Sequence, residues 1–202
     1  LIHRYTSGND ASMMPLTAPT IGASVFNHIL TPPYPNNTYG GLEEYDTAYI
    51  VNHTILDTAG EEAYHSLIPM YTYSADILII AFPVTDEPNL TIIKTILSHA
   101  LHSTRNPYII KGVLTKCDLV SKETAILRKL KLEQLIRQSP QAQRRQFKIK
   151  TFCTSAKSGI GAKECFEYGV NSIAKFKMNI QSHSDSKNKK NKTNFWCCWY
   201  CF

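Results

Sequence analysis

Short apolar runs recur along the chain, and turn-forming residues bound most of them. The run at 77–83, ILIIAFP, lacks polar alternation, which is typical of a strand covered on both faces. Comparable runs predict five strands, at 20–30, 49–56, 77–83, 109–115 and 147–153. Apolar residues at helical spacing predict helices at 1–6, 61–72, 87–104, 122–138 and 161–178. This alternation predicts an α/β fold, an open and mostly parallel sheet with helices on both faces.

Composition suggests where the globular part ends. No helical pattern separates the first two predicted strands, so they form a hairpin whose long loop is rich in Pro, Asn and Gly. From about residue 181 the chain is mostly Ser, Asn, Lys and His, which bury too little apolar surface to order a segment. We therefore predict a globular domain at 1–178 and a flexible basic tail at 179–202, ending in the cysteine-rich sequence FWCCWYCF.

Size and charge narrow the class of protein. The 202 residues suit one domain, and no run of about 18 uncharged apolar residues predicts a membrane span. The net charge of +6 comes mainly from a helix-like stretch at 128–145 and from lysines at 187–192. No aromatic-interleaved basic platform or zinc-finger spacing accompanies it, so nucleic acid is not a favoured partner.

The end of the predicted strand at 49–56 carries the sequence DTAG. In an open parallel sheet, ligands bind outside the carboxyl ends of the strands. Asp57 at such an end suits an outer ligand of Mg²⁺, and Gly60 lets a backbone N–H approach a phosphate without interference from a Cβ atom. By itself the motif is weak, because an aspartate here is equally typical of a turn.

Two further strand ends carry groups suited to a purine base. Asp118 in TKCD can accept two hydrogen bonds from a guanine edge while the stem of Lys116 covers the ring. The next predicted strand is followed by TSAK at 154–157, whose backbone can donate to a base oxygen. Asp118 alone could equally be a helix cap. Three such motifs at successive strand ends favour one shared nucleotide site.

Taken together, these motifs resemble those of the Ras superfamily of small GTPases. DTAGEE, TKCD and TSAK resemble the family's third, fourth and fifth motifs, and APTIGAS resembles its switch I stretch. EAYHSLIPMY is similar to the switch II helix of early-endosomal Rab proteins, which makes the Rab branch the best local match. The resemblance covers about residues 1–178 and implies the Ras-like P-loop GTPase fold.

The resemblance also implies GTP or GDP and Mg²⁺ as cofactors. Thr20 and Asp57 would hold the metal, and Gly60 and the Thr20 N–H would contact the γ-phosphate. The implied guanine pocket consists of Thr115, Lys116, Asp118, Ser155, Ala156 and Lys157. Glu61 stands where the family usually has the glutamine that orients the attacking water. A carboxylate only accepts hydrogen bonds and repels the γ-phosphate, so we expect slow hydrolysis, with Glu61 as a general base the less favoured reading.

The chain departs from this pattern at its beginning, because the 202 residues contain no G-x-x-x-x-G-K-[ST] motif. A truncated sequence, favoured by the start at Leu1, or a natural pseudo-GTPase would explain this. Without the central strand that feeds the phosphate loop, neighbouring strands would lack ladder partners. We therefore expect poor folding and weak or no GTP binding. Thr115 in place of asparagine and the long segment at 119–146 also leave the Rho and Ras branches open.

The tail resembles a lipidation site. Cys197 and Cys198 resemble the paired cysteines of doubly prenylated Rab proteins, and the nearby lysines would attract anionic lipid. The spacing of Cys198 and Cys201 also fits a redox or metal half-site. Lipidation would place the protein on the cytoplasmic face of intracellular membranes, endosomal ones included, in exchange with the cytosol.

Two functions remain open from the sequence. The first is a Rab-like switch in vesicle trafficking and signalling, ordered by the γ-phosphate and released by hydrolysis. Its partners would be effectors, exchange factors and GTPase-activating proteins. The second is a non-catalytic adaptor that keeps a switch-like surface without nucleotide chemistry.

Overall fold

The computed structural model describes residues 1–8, 22–30, 50–60, 66–100, 109–144, 147–170, 172–173, 177 and 192–201. The α-helices are α1 (Ile2–Thr6), α2 (Ile68–Thr72), α3 (Leu90–Ala100), α4 (Lys122–Gln138), α5 (Pro140–Arg144) and α6 (Ala162–Glu167). The strands are β1 (Ala23–Leu30), β2 (Ile50–Thr58), β3 (Ile77–Pro83), β4 (Ile109–Thr115), β5 (Lys148–Cys153) and β6 (Lys192–Cys201).

The predicted α/β fold is confirmed. Strands β1 to β5 lie within two or three residues of the predicted runs, and α4 spans the predicted 122–138. The side chain of Ser121 caps α4 by accepting a hydrogen bond from the Thr124 N–H at 3.3 Å. Helix α5 was not predicted. It begins at Pro140, which suits a first helical position, and the Ser139 hydroxyl accepts from the Ala142 N–H at 3.3 Å.

Within the described residues, one six-stranded sheet has the order β1-β2-β6-β3-β4-β5. β1 and β2 form the predicted antiparallel pair, with Ala23 opposite Thr58 and Leu30 opposite Val51. β2, β6, β3, β4 and β5 run parallel to one another, so their carboxyl ends share one edge. The segments that directly follow β2, β3, β4 and β5 therefore begin at that edge.

Apolar layers cover both faces of the sheet. All seven residues of β3 are buried, as expected for a central strand. Ile77 and Ile79 pack on the face covered by α1 and α6, whereas Leu78 and Ile80 pack on the face covered by α3 and α4. The period of two along the strand therefore sends alternate side chains into two cores.

Part of the predicted flexible tail at 179–202 lies in the sheet. Residues 179–191 lie outside the described part, but Lys192–Cys201 form a central strand. β6 is parallel to both of its neighbours, with Cys197 between Ile55 of β2 and Ile77 of β3. The Ser, Asn and Lys composition does not extend into this aromatic end, whose apolar residues can complete a buried ladder.

The position of β6 bears on two expectations that depended on a free tail. Cys197 is 1 % exposed, and Trp199 is 3 % exposed with its ring stacked on Phe166 at 5.3 Å. A thiol enclosed in this core has no room for a lipid chain, so the structure does not support lipidation of Cys197 in the folded state. The expectation that the central strands lack ladder partners is also wrong, because β6 pairs with β2 and β3.

No helix among the described residues is both long enough and apolar enough to cross a membrane.

Candidate functional site

Backbone hydrogen bonds join the loops that follow β4 and β5. The Cys117 N–H donates to the Thr154 carbonyl at 3.0 Å, and the Thr154 N–H donates to the Leu114 carbonyl at 2.8 Å. The buried Thr154 hydroxyl also donates to Leu114, at 3.0 Å. Because each strand end is tied to the next, TKCD and TSAK form one continuous rim of the sheet.

Thr115 extends this rim to β3. Its hydroxyl donates to the Phe82 carbonyl at 3.3 Å, and its own carbonyl accepts from the Val84 N–H at 2.8 Å. Thr115 therefore holds the ends of β3 and β4 together. Thr115 thus positions the two strand ends. Its hydroxyl does this although the side chain is shorter than that of the asparagine found at this place in most of the family.

Asp118 and Ser155 meet across the rim. The Ser155 hydroxyl donates to Asp118 Oδ1 at 2.5 Å and accepts from the Ser158 N–H at 3.1 Å. Ser155 is 1 % exposed, whereas Asp118 faces solvent. The hydrogen bond from Ser155 lowers the pKa of the Asp118 carboxyl, and the Lys157 charge acts in the same direction. The carboxylate is therefore held in its ionised, hydrogen-bond-accepting form at the surface.

Lys116 has a left-handed backbone, with φ of 57°, which is uncommon outside glycine. It begins a short 3₁₀ turn at Cys117–Leu119, in which the Leu119 N–H donates to the Lys116 carbonyl at 3.0 Å. The Lys116 side chain is exposed, and so is that of Lys157 on the neighbouring loop. Ala156, directly before Lys157, is half-buried. Strained positions of this kind concentrate at ligand sites, which fits the predicted role of Lys116.

The predicted metal and phosphate side is only partly described. Asp57 lies near the carboxyl end of β2, in register with Ser24 and with Trp199 of β6. It is three strand positions from β4, which corresponds to roughly 14 Å at the usual strand spacing. Gly60 lies three residues after Asp57, while Thr20 and Glu61 lie outside the described residues. Asp57 and the base rim therefore share one sheet edge and suit opposite ends of an elongated ligand.

No cluster of three or more His, Cys, Asp or Glu side chains suited to a metal ion occurs in the described ranges. This does not conflict with the prediction for Mg²⁺, because that ion keeps several waters and needs only one or two protein oxygens. Asp57 can supply one such oxygen through a water. The donor set on the described side of the site therefore fits the metal, and the metal site stays a prediction.

Two cysteines of the rim were not recognised as a pair from the sequence, where each lies singly. Cys117 follows β4 and Cys153 ends β5, so the order of the strands places the two residues at neighbouring strand ends. The available signal was their position, one within TKCD and the other directly before TSAK. It becomes informative only when β4 and β5 are known to be neighbours.

Comparison with known proteins agrees with this geometry. The sequence profile of the Ras family matches residues 41–175, more than half of the chain. The GTP-binding protein YPT52 of Saccharomyces cerevisiae is 32 % identical over 90 residues, which are 45 % of this chain and 35 % of that protein. The chain thus spans about a third of the length of this curated relative. By its family match, the chain belongs to the Ras family of small GTPases.

Two solved structures are similar at low identity. A bacterial selenocysteine-specific elongation factor, EF-Sec, aligns with a TM-score of 0.47 and 17 % identity over 83 % of this chain and 23 % of its own. The GTPase SAR1 of Encephalitozoon cuniculi, solved with GDP, aligns with a TM-score of 0.43 and 18 % identity over 79 % of this chain and 72 % of its own.

Proposed function

We propose that this chain is a Rab-like member of the Ras family that binds GTP and GDP as a switch in vesicle trafficking. The observation that supports it most directly is the Ser155–Asp118 hydrogen bond, which presents an ionised carboxylate at the rim formed by TKCD and TSAK. The similarity to YPT52, a protein described as GTP-binding, supports the Rab branch.

The base would bind on the rim. The exposed Asp118 carboxylate accepts hydrogen bonds from the ring N–H and amino group of guanine, with Ser155 fixing its orientation. The stem of Lys116 lies over the ring, and the backbone of Ala156 donates to the base oxygen. Adenine presents an acceptor where guanine presents its ring N–H, so this arrangement discriminates between the two purines.

Thr20, Asp57 and Gly60 would act at the other end of the nucleotide. Bound Mg²⁺ supplies charge neutralisation for the phosphates. Asp57 would orient a water of the ion, Thr20 would contribute its hydroxyl, and Gly60 would donate its N–H to the terminal phosphate. Glu61 would accept but not donate a hydrogen bond, and its negative charge disfavours an anionic phosphate nearby, so we propose slow hydrolysis.

The base site can be tested on the 202-residue chain by NMR titration with millimolar GDP, ADP and xanthosine diphosphate. We expect GDP to bind with an affinity weaker than micromolar and to shift amide signals of residues 115–118 and 155–157. In Asp118→Asn the side-chain amide can donate to the second carbonyl of xanthine, so preference should change from GDP to xanthosine diphosphate. Asp86→Asn, an exposed aspartate outside the rim, is the matched control.

Equal shifts by all three nucleotides, or none at millimolar GDP, would contradict the base site. A submicromolar GTP affinity would contradict our expectation of weak binding. The hydrolysis proposal has a separate test in any longer version that binds GTP tightly. Single-turnover hydrolysis should be slower than in Glu61→Gln, and equal rates would count against it.

A nucleotide-free adaptor, which keeps a switch-like surface without nucleotide chemistry, is the second candidate. Sequencing the transcript upstream of Leu1 distinguishes the two. A phosphate-loop motif in frame supports the switch, and an in-frame start codon without one supports the adaptor. Both candidates would recruit protein partners through the surface around β1 and β2.

Membrane attachment through Cys197 and Cys198 would require β6 to leave the sheet, because Cys197 is enclosed there. We propose lipidation only for such an opened form, acting on cytoplasmic faces of endosomal or related membranes. Mass analysis of the protein purified from cells tests this. A prenyl group on Cys198 or Cys197 together with native-like β6 protection from hydrogen exchange would contradict the requirement for opening.

A further inference from the structure

The turn that follows β3 lies at the same sheet edge as the base rim. The Val84 N–H donates to the Thr115 carbonyl at 2.8 Å, and the Asp86 N–H donates back to the Pro83 carbonyl at 3.1 Å. Thr115 directly precedes Lys116, so the carbonyl that Val84 holds belongs to the peptide bond between these two rim residues. The orientation of that peptide bond therefore depends on how the turn is held.

An arginine from α4 holds the turn. One terminal nitrogen of Arg128, Nη1, donates to the Val84 carbonyl at 2.5 Å and to the Asp86 carbonyl at 3.2 Å. The other terminal nitrogen, Nη2, lies 3.7 Å from a carboxylate oxygen of Glu87. The Arg128 side chain is 25 % exposed, whereas that of Glu87 is 59 % exposed. Because the ion pair lies in contact with solvent, it contributes little, and the carbonyl hydrogen bonds are the main link.

A guanidinium group suits this position. Each of its terminal nitrogens carries two hydrogens in one plane, so Nη1 can bond two carbonyls of the same turn at once. Hydrogen bonds from a charged donor are also stronger than those between neutral groups. Val84 is fully buried, and it is bonded to Thr115 through its N–H and to Arg128 through its carbonyl. Its backbone is therefore fixed on both sides.

These bonds join α4 to the rim by a second route. The first route is the chain itself, because TKCD leads into α4 through the Ser121 cap. The second route runs from Arg128 through Val84 to the Thr115 carbonyl. The start of the rim is thus tied to the helix that follows it both covalently and through the turn after β3.

We propose that Arg128 is a positioning residue of the base rim, which fixes the backbone at Thr115 and Lys116 through its hydrogen bonds to the turn at 83–86. Arg128 acts through Val84 rather than by touching the base. Its effect on nucleotide affinity rests on the proposed nucleotide function, whereas its effect on the rim backbone does not.

The first test needs no nucleotide. Arg128→Met keeps a long unbranched side chain on α4 but has no donor for the carbonyls. In the full chain, NMR-detected amide exchange should become at least about tenfold faster at Val84, and the amide signals of residues 115–117 should shift. Lys131→Met removes only the exposed ion pair with Glu87, so this matched control should do neither. Equal behaviour of the two variants at these amides would overturn the proposal.

The second test is NMR titration of the same variants with GDP. We expect the dissociation constant to rise at least about fivefold in Arg128→Met and to change less than about twofold in Lys131→Met. Arg128→Lys returns a donor to this place and should recover part of the loss. Leu135→Ala weakens the packing of α4 without removing a hydrogen bond to the turn, so its affinity should stay unchanged. An equal loss in Leu135→Ala and Arg128→Met would overturn the positioning role.

The two tests fail separately. A chain that binds no GDP at millimolar concentration contradicts the nucleotide proposal, while the amide measurements still decide the role of Arg128. A measurement on the unsubstituted chain decides it even where Arg128→Met does not fold. With both Nη1 hydrogens bonded, rotation of the guanidinium group should be slow, so its terminal nitrogens should give separate NMR signals. One averaged signal, typical of an arginine side chain that moves freely in solvent, would overturn the proposal.

Discussion

The base rim and the centre of the sheet are assembled in different ways. At the rim, short motifs that directly follow β4 and β5 meet, with Ser155 bonded to Asp118. At the centre, β6 reaches strands far away in sequence, as in the hydrogen bond from the Thr58 hydroxyl to the Trp199 carbonyl at 3.0 Å. Ser155 and Asp118 are 37 positions apart, whereas Thr58 and Trp199 are 141 apart, so pairing at the centre must offset a larger loop-closure entropy.

The two regions also handle polar groups differently. At the rim, a hydrogen bond in contact with solvent lowers the pKa of Asp118. In the core, Lys111 is fully buried, and its ammonium group donates to the Cys165 carbonyl at 2.6 Å and the Phe166 carbonyl at 3.3 Å. His53 is buried nearby and contacts the Tyr5 hydroxyl at 3.4 Å. Burial favours the neutral forms of ionisable groups, so pH should change the free energy of unfolding more through the core than through the rim. Truncating a side chain should also cost more in the core, because it removes buried packing.

Removing the Trp199 side chain should have the largest effect. Trp199→Ala deletes a buried ring stacked on Phe166, so we expect a loss of about 3–5 kcal/mol in the free energy of unfolding. Urea denaturation followed by circular dichroism measures it. Leu127→Ala on the exposed face of α4, where Leu127 is 68 % exposed, is the control and should change stability by less than about 0.5 kcal/mol. Equal losses in both variants would contradict the placement of β6 at the centre.

Lys111→Ala should have the next largest effect. The substitution leaves the Cys165 and Phe166 carbonyls at the end of α6 without their buried donor, at a cost of about 2 kcal/mol. Lys122→Ala at the exposed start of α4 is the matched control. Thermal unfolding of both variants at pH 7 gives the comparison. A Lys111→Ala protein as stable as Lys122→Ala would show that the ammonium group does not cap α6.

His53 should make the stability of the core depend on pH. Burial, together with the Lys111 and His28 charges, lowers the pKa of His53 from 6.5 to about 3 in the folded chain. The unfolded state therefore binds a proton that the folded state excludes. Above pH 6.5 neither state binds this proton, so the full free energy of unfolding is present. As the pH falls from 6.5 toward 3, the free energy of unfolding decreases by about 1.4 kcal/mol per pH unit.

Urea denaturation at several pH values between 7.5 and 4.5 measures this dependence. His53→Gln keeps a polar side chain and removes the titration, so its stability should fall less steeply over the same range. Parallel curves for the two proteins would contradict the assignment of the pH dependence to His53.

Ser155→Ala should have the smallest effect on the fold, because its partner Asp118 faces solvent. Loss of the hydroxyl should raise the pKa of the Asp118 carboxyl toward its ordinary value of 3.8. NMR titration of the Asp118 side chain measures this shift. Ser158→Ala removes a neighbouring exposed hydroxyl and should leave that pKa unchanged, and an equal shift in both variants would show that Ser155 is not its cause.

The sequence by itself determined the parts that local forces decide. The apolar runs predicted β1 to β5, and the runs of β3 and β4 are the most continuous because these strands are covered on both faces. The helix predicted at 122–138 agrees with α4, whose first turn the Ser121 side chain caps. The residues of the rim were identifiable because TKCD and TSAK stand directly after strands, and parallel strands bring their carboxyl ends together.

Only the tertiary structure decided which distant residues share an environment. The aromatic end of the chain resembled a tail until β6 was placed between β2 and β3, where ladder hydrogen bonds and burial of Trp199 stabilise it. The hydrogen bond from the Cys117 N–H to the Thr154 carbonyl arises from the order of β4 and β5 in the sheet. Composition and spacing carry no information on such contacts, because they depend on the free energy of packing segments that are far apart in the chain.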